Sequence, residues 1–155
     1  MTTSGKVFER ETSLKFLLND RLVNCSGSKL FKYLHSKNRL NKDIKKSHGC
    51  KSPDECYIDE TRNIIFIIEK KYQKVKGSAC EKIQTPDFKI WQYQRTFPDY
   101  NIVYIYCLSD WFKTNCIAEL EYLKYKKIRY FFGNSINYKK EIVNFIINYK
   151  DYNNC

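Results

Sequence analysis

Charged side chains two residues apart on a strand share one face of a sheet, which concentrates them where chemistry can use them. Asp-x-Lys or Glu-x-Lys occurs three times in this chain: Asp43-Ile44-Lys45, Glu69-Lys70-Lys71 and Asp87-Phe88-Lys89. Only the second follows a run, Ile64-Ile65-Phe66-Ile67-Ile68, that reads as a strand buried on both faces. Charges at the mouth of such a strand are costly unless something pairs with them. A partner lies within hairpin reach. Cys56-Tyr57-Ile58 reads as a shorter strand and 59–63 as the turn, so a turn centred near Thr61 or Arg62 sets Asp54 opposite Ile68 or Glu69. Two carboxylates then meet across the strands within about 5 Å. A cation between them relieves their repulsion, and hard oxygen donors with room for water suit Mg²⁺. Lys71 falls on the same side, placed to hold a water or help deprotonate it. Phosphodiester hydrolysis needs such a group: a metal to polarise a phosphoryl oxygen and activate a nucleophile, and a cation to offset transition-state charge. The competing reading is structural, with Glu69 and Lys71 as ordinary strand-end charges and Asp54 capping a turn.

Around this hairpin the periodicity predicts the remaining elements. Val7, Leu14, Leu18 and Leu22 share a helical face, which predicts a first helix over 6–22 with Glu11 in its apolar stripe and Glu9 off it. Residues 24–28 read as a loop, 29–34 as a short helix and the stretch to Ser52 as a structureless basic region. Ser78 opens a helix with Glu81 placed as in a capping box, Pro86 interrupts it, and a further helix covers 87–95. Residues 102–108 and 128–132 read as buried strands, 115–127 as a helix, and the spacing of Tyr138, Ile142, Phe145, Ile146 and Tyr149 as a final amphipathic helix. Strands separated by helices imply crossovers, so the expectation is one α/β domain over 1–155, an α/β/α sandwich with a central mixed sheet.

At Pro53-Asp54, with Glu69-Lys70-Lys71 following fifteen positions after Asp54, the chain resembles the PD-(D/E)xK nuclease superfamily, most of all type II restriction endonucleases. The likeness runs from about Lys51 to Phe132 and includes Gly77-Ser78-Ala79-Cys80-Glu81-Lys82-Ile83-Gln84 and Leu108-Ser109-Asp110-Trp111-Phe112-Lys113. It implies a restriction-endonuclease-like fold and a Mg²⁺-dependent endonuclease, with Mn²⁺ able to substitute, that cuts double-stranded DNA to leave 5′-phosphates. Asp54 and Glu69 would be the metal ligands and Lys71 their catalytic partner. Gly5-Lys6-Val7-Phe8-Glu9-Arg10-Glu11 resembles the family's first helix and the start of archaeal Holliday-junction resolvases, which favours Glu9 over Glu11 as a further catalytic acid. Its alternative role is a first-turn acid favoured by the helix dipole. Lys82 and Gln84 would lie near the scissile phosphate or DNA backbone, or else on a plain solvent-facing surface. Short nucleases of this class act as homodimers so that two sites can cut two strands, so the resemblance implies a homodimer.

The bulk numbers set the frame. Aromatics make up 16% of the chain, with thirteen Tyr and ten Phe, enough to build a core within 155 residues. No apolar run reaches the roughly 20 residues of a membrane span and Met1-Thr2-Thr3-Ser4-Gly5-Lys6 lacks a signal-peptide core, which predicts a soluble, intracellular, cytoplasmic protein. The cysteine count of seven is odd, with no Cys-x-x-Cys pair, which predicts reduced thiols, with Cys25, Cys80 and Cys107 as small hydrophobes. A zinc site from His35, His48, Cys50 and Cys56 is conceivable by residue type but matches no usual spacing. The net charge is +11, and between Lys29 and Lys51 eight basic residues face one acid, Asp43. That segment reads either as a solvated face or as a surface that tracks phosphates. Two other functions fit the same residues: a structure-selective nuclease for junctions or repair, and a catalytically silent DNA-binding module.

Overall fold

The computed structural model describes residues 3–18, 20–43 and 50–150. Its centre is a hairpin of β2 (Glu55–Asp59) and β3 (Ile64–Lys71), paired antiparallel with Glu55 opposite Ile68 and Asp59 opposite Ile64. Asp59 builds the turn. Its buried carboxylate accepts the Thr61 and Arg62 backbone N–H groups and the Arg62 Nε–H, and Asn63 takes a left-handed φ of 54° to re-enter the strand. β4 (Asn101–Leu108) lies parallel to β3, and β5 (Arg129–Phe132) parallel to β4. On the other edge β1 (Leu22–Asn24) pairs antiparallel with β2, so the open sheet is mixed and runs β1-β2-β3-β4-β5.

Strand alternation feeds two cores. On one face Cys56, Ile58, Ile65, Ile67, Tyr104 and Tyr106 pack under α2 (Lys29–Ser36), α3 (Pro86–Thr96), α4 (Trp111–Asn115) and α5 (Ile117–Tyr125). On the other, Tyr57, Phe66, Ile68, Ile105 and Cys107 meet Phe8 of α1 (Thr3–Glu11) and Tyr138, Ile142 and Ile146 of α6 (Tyr138–Ile147). Helices therefore cover both faces of an α/β fold, as expected.

Several elements differ from the periodicity. The first helix ends at Glu11 rather than continuing to residue 22, because the Phe8 carbonyl accepts both the N–H and the hydroxyl of Thr12 and closes the last turn. Phe16 then adopts a φ of 74°, incompatible with a helix, so Leu14 fills the core from a loop and Leu22 starts a strand. Glu11 is exposed, not turned toward the core. Ser78–Ile83 is a 3₁₀ helix capped at Gly77 without a side-chain bond, so the capping box does not form. Pro86 starts α3 instead of interrupting a helix, since its missing N–H is harmless in a first turn. The helix expected over 115–127 is α5, which starts at Ile117, and the short α4 before Cys116 adds to the expected elements.

The cysteine reading also changes. Cys80, at the 3₁₀ helix, and Cys116, between α4 and α5, are bonded as a disulfide with Cα atoms 5.5 Å apart. They are 36 residues apart in sequence, and packing of the two crossovers brings them together. Cys25, Cys56 and Cys107 are buried free thiols and Cys50 is half-buried and free. No helix of the described residues is long and apolar enough to cross a membrane.

Candidate active site

β3 carries an apolar run that ends in charge, and the pleat sorts those charges. Ile65 and Ile67 face the core under α2 to α5, so Glu69 and Lys71 project to that side while Lys70 projects to the other. The β2–β3 register pairs Glu55 with Ile68, and one further step sets Asp54 beside Glu69. Asp54 is fixed there by the Lys70 backbone N–H, which donates to Oδ2 at 2.8 Å. Lys71 Nζ donates to Glu69 Oε1 at 2.7 Å, with only 21% and 15% of the two side chains exposed.

The electrostatics follow from this crowding. Although Asp54 keeps an open side, desolvation of its carboxyl raises the pKa to about 6. The charge of Glu69 adds to the rise and Glu9 contributes a little more, while the Lys70 N–H and the Lys71 ammonium oppose it. Below Glu69 lie Tyr104 and Tyr106 of β4, rings edge-on at 5.3 Å, whose phenols burial and then the Glu69 charge hold protonated. The carboxylates thus sit on a dry aromatic floor and open upward.

Two hollows flank the Glu69–Lys71 pair. One of about 330 Å³ is lined by Lys51, Asp54, Glu69, Phe88, Lys89 and Gln92. The other, about 270 Å³, is lined by Glu9, Lys71, Tyr72 and Lys82 among others. The structure therefore brings Asp54, Glu69 and Lys71 together, with Glu9 and Lys82 at the adjoining wall. It does not bring in Gln84, whose amide reaches Glu119 at 3.5 Å and which lines a separate hollow against α5. Glu11 lines neither hollow. Of the basic segment, Lys51 reaches the site, Arg39 pairs with Asp99 at 3.4 Å, and Lys45, Lys46 and His48 lie outside the described residues.

Sequence reasoning missed two groups. Lys89 of α3 brings its Nζ to 3.7 Å from Glu69 Oε1, a second cation at the same carboxylate. It stood in one of the three short charge patterns, but only the packing of α3 on β4 reveals its target. Lys70, between Glu69 and Lys71, is buried on the opposite face, 2.7 Å from Glu55. Its Nζ also donates to the Glu9 carbonyl at 3.0 Å and so ties α1 to β3. Among the described residues, the grouping of three or more His, Cys or acidic side chains close enough to share one ion is Cys80, Cys116 and Glu119. Its two sulfurs are bonded to each other, which removes the thiolates that zinc would need.

A scan against protein-family models, a search of curated proteins and a search of solved structures each found no match.

Proposed function

We propose that this chain is a divalent-metal-dependent endonuclease acting on double-stranded DNA, of the PD-(D/E)xK kind and most like a type II restriction endonuclease. One observation carries the reading: Asp54 and Glu69 stand side by side at the open end of adjacent strands, with Lys71 on the same face. The donor set fits Mg²⁺ or Mn²⁺, being two hard carboxylates with one side open for water and substrate oxygens. When bound, such an ion polarises a phosphoryl oxygen and lowers the pKa of a water.

The remaining work belongs to the chain. Asp54 and Glu69 would hold the cation, which would relieve their mutual repulsion. Lys71 Nζ, on the same face, would orient a water and offset charge on the phosphate. Lys89 supplies a second positive charge on the opposite wall, and Lys82 and Lys51 guide the backbone toward the hollow. Glu9 lines the hollow that Lys71 lines and its charge acts on Asp54, which suits a positioning role toward water. A homodimer would supply a second site for the second strand.

The test is incubation of supercoiled plasmid with wild-type protein and with Lys71→Ala, in Mg²⁺ and in EDTA. Cutting is expected from the wild type alone and with metal alone. Discrete fragments mark a restriction-type enzyme, and cleavage restricted to four-way junctions or flaps marks a structure-selective one. Folded wild type that binds DNA and cuts none of these substrates overturns the nuclease reading in favour of a silent module.

A further inference from the structure

Beside the carboxylates the surface turns aromatic without an internal reason. On α3, Phe88 is 59% exposed and Trp91 53% exposed, with ring centroids 5.9 Å apart and planes inclined by 32°. The Arg95 guanidinium lies 5.2 Å from the Trp91 ring. Phe88, Trp91, Gln92 and Arg95 recur three and four apart and form one outward stripe, while Pro86 and Tyr93 bury the inner face of the helix. Two large rings side by side in water are unfavourable unless something covers them. Asp87, the acid of this helix, pairs with Lys126 at 2.9 Å, and the stripe itself carries no acid. Phe88 and Gln92 also line the hollow that holds Asp54 and Glu69, and Lys89 reaches into it.

We propose that Phe88 and Trp91 form a platform on which unpaired bases of a DNA strand stack while its backbone passes Lys89 and Arg95. The inference rests on the nuclease reading for the chemistry and narrows its substrate from intact duplex to DNA with single-stranded or unstacked bases next to the cleavage point, the structure-selective form of that reading. Every base offers a flat π face, so rings at this inclination accept any sequence, and Arg95 adds a cation to the same stack. Lys51, Lys89 and Arg95 offer the phosphates cations along this path, Lys89 beside the Glu69 carboxylate that shares the hollow. In an intact duplex the base faces are hidden against one another. The rings then have a ligand only where a base is unpaired or extruded.

The test separates stacking from charge and from cleavage. In EDTA, with Trp111→Phe leaving Trp91 as the remaining tryptophan, a short oligothymidylate is added and Trp91 emission followed. Saturable quenching is expected, with affinity about tenfold or more above that for an abasic oligonucleotide of equal length. The Phe88→Leu/Trp91→Leu double variant, altered only at exposed positions and followed by the anisotropy of labelled oligonucleotides, should bind both equally and weakly. Equal affinity of the wild type for the two oligonucleotides overturns the platform and leaves a purely electrostatic surface. Emission that changes with protein concentration alone, with the protein sedimenting as a dimer through this face, also overturns it. Plasmid cleavage with base-independent binding removes the platform and spares the nuclease. Base-dependent quenching without cleavage of any substrate supports the platform and removes the nuclease.

Discussion

Two adjacent lysines show how one pleat divides structure from chemistry. Lys70 and Glu55 form an ion pair at 2.7 Å with both side chains only 4% exposed. The other Glu55 oxygen accepts the Leu14 N–H at 2.7 Å and the Tyr57 hydroxyl. Removing one member of such a pair strands a buried charge, so Lys70→Met should cost about 3–5 kcal/mol in urea denaturation. Lys71→Met breaks a partly exposed pair and should cost under about 1 kcal/mol while abolishing cleavage. Equal destabilisation by the two would show that the face assignment is wrong. Asp54 carries the pH dependence. Its folded pKa of about 6 lies above the ordinary carboxylate value, so between these pH values the folded state holds more proton than the unfolded state. This group therefore lends stability below that window and withdraws it as pH rises through about 6. In the proposed site, Mg²⁺ would have to displace the same proton. Affinity measured by calorimetry should rise by up to about tenfold per pH unit below 6 and level off above. In Glu69→Gln the bend should move to lower pH, because the neighbouring negative charge is gone. An affinity unchanged from acid to neutral pH would remove Asp54 from the metal site.

At the scale of elements, the site depends on segments brought in from far along the chain. The loop after β3 is clasped by Ser109, which accepts the Gln73 N–H at 3.0 Å and donates to the Gln73 carbonyl at 2.9 Å. Gly133, after β5, has no room for a side chain, since a Cβ there would meet Thr12 and Phe8 at 2.6–2.8 Å; α1 packs that closely. The Cys80–Cys116 bond ties the 3₁₀ helix that carries Lys82 to the α4–α5 junction. It closes a loop spanning a sequence separation of 36, so reduction should lower stability by about 2–4 kcal/mol. Thermal unfolding with and without dithiothreitol measures this. A Cys80→Ser/Cys116→Ser variant should show no response to reductant, and an unaltered wild-type transition would mean the bond contributes nothing. These couplings were hidden from periodicity. A leucine spacing of three and four looks the same whether the residues lie on one helix or, like Leu14 and Leu22, on a loop and a strand that converge in one core.

For the whole molecule, the net charge of +11 is a statement about partners rather than fold. DNA binding in EDTA should weaken about a hundredfold or more between about 50 and 200 mM salt if about four phosphates are neutralised. Salt-insensitive binding would argue against a phosphate-tracking surface. The chain by itself determined the mixed α/β arrangement and the Asp54–Glu69–Lys71 group. Both arise from short-range rules: a β-branched run makes a strand, a four-residue break makes a hairpin, and alternation assigns the faces. It also carried the metal chemistry as an expectation, through the types of the side chains. Tertiary structure alone decided that Lys89 approaches Glu69, that Lys70 is a buried anchor, that Cys80 meets Cys116, and that Phe88 and Trp91 stay uncovered. The physical reason is common to all four. Each depends on where one element docks on another, and docking is set by packing of whole faces rather than by the spacing of residues within any one of them.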